Sequence, residues 1–184
     1  MSRIRSLRPN VTREEAAAEF SPAGPAGLVR HLIFGPLRSV ADFYLPFRLF
    51  QVEVGNASKR DQHILGLEAV MGVLDLYHFE EIPGASEIIS VDTRNHPESR
   101  LNDARAQELV INKFQRALFS KGFFRMRELS IVAAPLPGEL YIPYWVGFRG
   151  SGMRARVSVM DAVRHRIEGS KVRYLLQTWL TAPS

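Results

Sequence analysis

The sequence predicts one α+β domain: a mostly antiparallel sheet built from two duplicated Tyr-x-Pro β-hairpin units, with helices packed on it. Three observations predict it. Asp42-Phe43-Tyr44-Leu45-Pro46-Phe47-Arg48-Leu49 matches Glu139-Leu140-Tyr141-Ile142-Pro143-Tyr144-Trp145-Val146, and only Arg48 against Trp145 differs in kind. A second match follows each stretch: Val73-Leu74-Asp75 with His78 and Glu80, against Val159-Met160-Asp161 with His165 and Glu168. Ala106, Val110, Phe114 and Leu118 recur at spacing four, the buried stripe of an amphipathic helix. Repetition within a chain implies a repeated structural unit. The repeat covers about 42–80 and 139–168, inside a domain expected over 24–184 and preceded by a basic arm over 1–23.

Taken in order, Arg3, Arg5 and Arg8 charge the arm, and Thr12-Arg13-Glu14-Glu15 opens a short helix with acids in its first turn. Ser21-Pro22 and Gly24-Pro25 end it. A second helix is expected from 26 to about 40, interrupted near Gly35-Pro36. Each Tyr-x-Pro strand then leads through a turn into a partner strand. The turn is Gly150-Ser151-Gly152 in the second unit and a longer loop over 55–61 in the first. The apolar run 64–77 is ambiguous by itself. The period-two alternation of 153–163 in the matching unit favours a strand. A loop over 82–96 holds a short strand near 87–91. Asn95-His96-Pro97-Glu98 opens the long helix and Gly122 ends it. A strand over 129–134 enters the second unit through Pro135-Leu136-Pro137-Gly138. A closing helix over 171–180 buries Val172, Leu175, Leu176 and Trp179.

Composition bounds the function. The chain has 184 residues, a formal net charge of +5 and no cysteine. A chain of this length buries enough apolar surface to fold without covalent staples. Lack of cysteine excludes disulfides, thiol nucleophiles and Cys-ligated metals, and fits a reducing, cytoplasmic setting. The basic start has no apolar segment behind it, so no secretory signal is expected. Asn56-Ala57-Ser58 is then a chance glycosylation match. Arg48, Glu68 and Asp75 interrupt the longest apolar runs, so no transmembrane segment is expected. There is no phosphate loop, no nucleophile elbow and no HExxH. Neither a cofactor nor a metal is expected.

Strand alternation proposes the sites. It places Phe43, Leu45, Phe47 and Leu49 inward with Leu65, Leu67, Ala69, Met71 and Val73, so that Asp75 and Asp161 end the two apolar registers. Two such acids, with His78 or His165 as proton shuttle, would serve a hydrolase-type acid/base pair. The plainer expectation is that each carboxylate accepts backbone N–H groups or pairs with an arginine, which would lower its pKa. The outer face of the second unit gathers Tyr141, Trp145 and Arg149 beside Arg154 and Arg156. Aromatics among arginines can stack bases and neutralise phosphates, and so offer a nucleic-acid or anionic-surface site. The outer face of the first unit, with Tyr44, Val70 and Leu74, is too apolar for open water and calls for a protein partner or self-association. These residues predict a non-enzymatic protein-binding or assembly module. Partner, substrate and oligomeric state are not written in the sequence.

Overall fold

A computed structural model describes residues 1–55, 60–120, 130–150 and 156–181. The protein is mixed α+β with a large, curled, mostly antiparallel sheet. Its strands are β1 (Ser2–Leu7), β2 (Leu37–Gly55), β3 (Arg60–Glu68), β4 (Tyr77–Phe79), β5 (Ile88–Thr93), β6 (Ser130–Arg149), β7 (Arg156–Asp161) and β8 (Arg166–Ile167). The helices are α1 (Arg13–Phe20), α2 (Pro25–Phe34), α3 (Asp103–Ser120) and α4 (Ser170–Thr181).

Two long strands, β2 and β6, form the antiparallel spine. Leu45 faces Ile142 at its middle, so that Tyr44 meets Pro143 and Pro46 meets Tyr141. Beyond this crossing β2 takes up β3 and β4 on its free edge, and β6 takes up β7 and β8. Between the pairs Arg48–Glu139 and Phe50–Pro135 the register shifts, because β6 uses two more residues than β2 there. Gly138 turns this irregularity with φ 86, a conformation other residues resist.

Alternation along the spine feeds separate cores. Phe43, Leu45, Phe47 and Leu49 join Leu140, Ile142, Tyr144 and Val146 under Val172, Leu175 and Leu176 of α4. Phe50, Val52, Leu65, Leu67 and Ala133 pack on Ala106, Val110 and Phe114 of α3. Val40 and Met160 pack on Ala16 and Phe20 of α1. Thr12 and Glu15 form a reciprocal capping box that starts α1, as the acids after Thr12 predict.

The structure moves several expected boundaries. The basic start is not a free arm: Ser2–Leu7 pairs antiparallel with β5 along its whole length and touches β6 at Tyr141. Gly35 ends the second helix outright, and β2 begins at Leu37 rather than after 40. The long helix begins at Asp103, where Asn102 Oδ1 accepts the Arg105 N–H at 2.9 Å, and not at Pro97. The run 64–77 is strand only to Glu68 and then turns. Leu65 and Leu67 therefore face α3, opposite Phe47, and the expected inward register from Leu65 to Asp75 does not exist. The expected helix end at Gly122, the Asn56 sequon, most of the 55–61 loop, Ser151, Gly152 and Arg154 lie outside the described residues.

Candidate binding cleft

Glu68 ends β3 and Asp161 ends β7, and both side chains turn back onto the chain that follows. Glu68 Oε1 accepts the N–H groups of Val70 and Met71 at 2.5 and 2.7 Å, and Oε2 accepts that of Val73 at 3.1 Å. Asp161 Oδ1 accepts the N–H groups of Val163 and Arg164 at 2.8 and 2.9 Å. Strand-end acids hold turns in this way. Both are fully shielded, at 0% and 1% exposure. In its bonds Asp161 resembles Glu68 and not Asp75.

Asp75 is instead an exposed rim residue. Its Oδ1 accepts from Lys171 Nζ at 2.6 Å, and this bond holds the carboxyl below its usual range. Asp161 moves the other way. Burial pushes its pKa up, and the two backbone bonds only partly offset that, so the lowering expected for both aspartates holds for Asp75 alone.

Asp75 and Asp161 nevertheless line one cleft of about 460 Å³. Phe47, Leu74, Tyr144 and Val172 form its apolar floor, and the first turn of α4 closes one side through Gly169, Ser170 and Lys171. Arg164 lies over the Tyr77 ring, 3.3 Å from its centre, and donates to the His78 carbonyl at 3.1 Å. Arg166 donates to Glu168 Oε1 at 2.9 Å. The buried Tyr77 hydroxyl lies against the Asp161 carboxylate, and the two side chains interact with each other. Desolvation first, then the neighbouring Asp161 carboxylate, raises the Tyr77 pKa well above the ordinary phenol range, and burial does the same for Tyr144. His78 contributes to the lining, whereas His165 sits in the β7–β8 turn with φ 52 and does not line the cleft. Among the described residues no three His, Asp or Glu side chains converge as a metal site.

The face expected to gather Tyr141, Trp145 and Arg149 is not an open stacking surface. Tyr141 is buried with Ile4 and Tyr44, and its hydroxyl reaches Glu139 at 3.5 Å. Burial raises the Tyr44 and Tyr141 pKa values to about 12. Trp145 packs against the α1 cluster and its Nε1 donates to the Val11 carbonyl at 2.8 Å. Arg149 is buried and donates to the carbonyls of Gly35 and Phe20. Arg156 alone of the described set is exposed.

Tyr44, Val70 and Leu74, expected on an open apolar face, are buried within the chain. Tyr44 lies under Ile4 and Val91, Leu74 joins the α4 core, and Val70 is buried. The chain supplies this cover itself, through segments the alternation pattern could not place. What alternation missed, composition held in view: Glu68-Ala69-Val70 and Asp161-Ala162-Val163 are the better match.

Among the described residues, α2 carries a cluster of exposed large apolar side chains. Leu28, Val29, Leu32 and Ile33 are 54 to 75% exposed. No described helix is long and apolar enough to cross a membrane. No protein family, curated protein or solved structure matches the chain.

Proposed function

We propose that this chain is a non-enzymatic protein-binding module of the cytoplasm, and that it docks through α2. The observation that carries the reading is the four large apolar side chains of one ten-residue helix turned to solvent. Leu28 and Leu32, and Val29 and Ile33, are four apart and share one face, which is the pattern of a helix that lies in a groove. Pro25 opens it and Gly35 caps its end, so α2 is a separate helix between α1 and β2. A ten-residue helix is about 15 Å long. Two such helices laid side by side would bury less than the roughly 1,000 Å² that a stable dimer requires. A partner protein with an apolar groove wraps more of the same face, and is the occupant this reading commits to.

The matched sequence stretches fit the same reading as two halves of a duplicated scaffold. In support, the Pro46 carbonyl accepts the Ala69 N–H at 2.9 Å and the Pro143 carbonyl accepts the Ala162 N–H at 3.0 Å. Glu68 faces Phe47 and Asp161 faces Tyr144 in the adjoining ladders. A scaffold of this kind would present α2 from a rigid base.

The test is a Leu28→Asp/Leu32→Asp variant compared with the parent. Because both leucines are exposed, the melt should not change. A photo-crosslinker at position 32 should join the parent to one defined partner in its own cells, and purified partner should bind the parent and not the variant. Dimerisation of the parent that the variant abolishes, or binding of the parent to phosphatidylglycerol vesicles that the variant abolishes, would overturn the protein-partner reading.

A further inference from the structure

We infer that a second cleft, beside β7 and between the end of α1 and the start of α4, binds the phosphate monoester of a small molecule, with the dianion seated among Arg149, Arg156 and Arg173. Two local arrangements in this cleft are each unfavourable without an anion. Arg149 of β6 stands directly opposite Arg156 of β7 in the ladder. Like charges placed directly opposite one another destabilise a sheet. Arg173 closes the first turn of α4, which holds no acid. A cation there meets the positive end of the helix dipole. Local rules broken on separate elements that converge on one cavity mark a functional site.

The side chains are set for such a ligand. Arg149 is 4% exposed, and the carbonyls of Gly35 and Phe20 orient its guanidinium without neutralising it. Arg156 and Arg173 are exposed and enter no ion pair among the described residues. Arg173 gives only Nε, to the Gly169 carbonyl at 3.4 Å. Glu168, the one acid among the described lining residues, is already held by Arg166 at 2.9 Å. Guanidinium groups match phosphate oxygens with paired, planar donors. A monoester carries close to two negative charges at neutral pH, enough to answer Arg156 and Arg173 together. Val157 and Ile167, the latter 50% exposed, form an apolar wall for the organic part of the ester. The cleft measures about 490 Å³. That lies within the roughly 300–1,000 Å³ of ordinary small-molecule sites.

Calorimetric titration of the full chain decides the matter. The probes are inorganic phosphate, phenyl phosphate and AMP, with phenol and adenosine as the phosphate-free counterparts. At least one ester should bind saturably at millimolar concentration or below, and more tightly than inorganic phosphate. Its phosphate-free counterpart should bind about tenfold more weakly or worse, as loss of charged hydrogen bonds implies. Arg156→Gln and Arg173→Gln should each weaken the ester about tenfold. Both side chains are exposed, so neither variant should melt below the parent when no ligand is present. The ester should raise the melt of the parent and not of these variants. Arg3→Gln, which removes the same charge from β1, should leave binding unchanged. No saturable binding of any ester, equal binding of the phosphate-free forms, or equal weakening by Arg3→Gln would overturn the assignment. So would an oligothymidylate that binds more tightly than any monoester with the same dependence on Arg156, since the site would then serve a nucleic-acid strand.

Discussion

Glu68 and Asp161 hold matching posts at the ends of β3 and β7. Each accepts the N–H groups of the residues two and three places ahead, and each is closed from water. The turn each one holds includes a residue with positive φ, Gly72 at 66° and His165 at 52°. The acid thus replaces the ladder partners that the chain loses as it leaves the strand. Replacing Glu68 by alanine strands three N–H groups and should cost about 3 kcal/mol or more. Asp161→Ala strands two and should cost less. Urea melts of the two variants check the order. A Glu68→Ala protein as stable as the parent would show that the turn does not depend on the carboxylate.

The two positive-φ residues give a prediction of opposite sign at matching places. His165 is exposed and non-glycine in the left-handed region, which costs roughly 1 kcal/mol. His165→Gly should relieve that strain and be neutral or slightly stabilising. Gly72→Ala has no such room. An added Cβ would meet Leu109 Cδ1 at 2.7 Å and would also suffer the φ of 66°. It should destabilise by about 1–3 kcal/mol. Thermal melts of both single variants, read as a pair, separate backbone strain from packing.

The contrast between Asp75 and Asp161 shows how far the sequence was legible. Alternation identifies the strands of the spine, because Leu45 and Ile142 fill one core and Tyr44 and Tyr141 another, while the two stretches pair edge to edge. It also identifies α1, α3 and α4 through a cap and two apolar stripes. It fails after Glu68, because an apolar run does not mark where hydrogen bonding between strands stops. The mark was the acid itself, which a polar residue in a run of leucine and valine supplies when it caps a turn. Arg3-Ile4-Arg5 alternates as a strand should, yet its charge suggests a solvated arm. The cleft was legible only in part. Asp161 and Asp75 stand out as acids after apolar runs, but Tyr77, Arg164 and Lys171 come from β4, the β7–β8 turn and α4 and share no spacing.

Trp145 is held by packing and by one bond. Its indole joins the cluster of Val11, Ala16 and Phe20, and its N–H reaches the Val11 carbonyl. Trp145→Phe keeps most of the packing and loses the bond, at about 1 kcal/mol. Trp145→Ala should cost about 3–5 kcal/mol. Oligonucleotide titrations at low and high salt should show no Trp145-dependent binding. An unchanged melt together with lost, salt-sensitive binding would restore the nucleic-acid reading.

The two aspartates of the cleft should respond to pH with opposite signs. Burial raises the Asp161 pKa in the folded state above its ordinary unfolded value. In the interval between those two values the folded protein binds more protons than the unfolded chain. The slope of stability with pH is then negative. The contribution is fully present below the unfolded value and is lost as pH rises through the folded one. Asp161→Asn keeps an oxygen for the Val163 and Arg164 N–H groups and removes this titration. Its stability relative to the parent should therefore increase from acid to neutral pH, by about 1.4 kcal/mol for each unit of upward shift. Asp75 has a lowered folded value through Lys171, so its contribution is present above the unfolded value and fades as pH falls. Its side chain is 86% exposed, and solvent screening keeps that contribution small, within about 0.5 kcal/mol. Asp75→Asn should accordingly track the parent at every pH. Denaturant melts of the parent and both variants across the acid range make the comparison. If the advantage of Asp161→Asn shrinks as pH rises, the folded-state carboxylate is favoured over its unfolded form, and Asp161 is held by its turn bonds more strongly than burial penalises it.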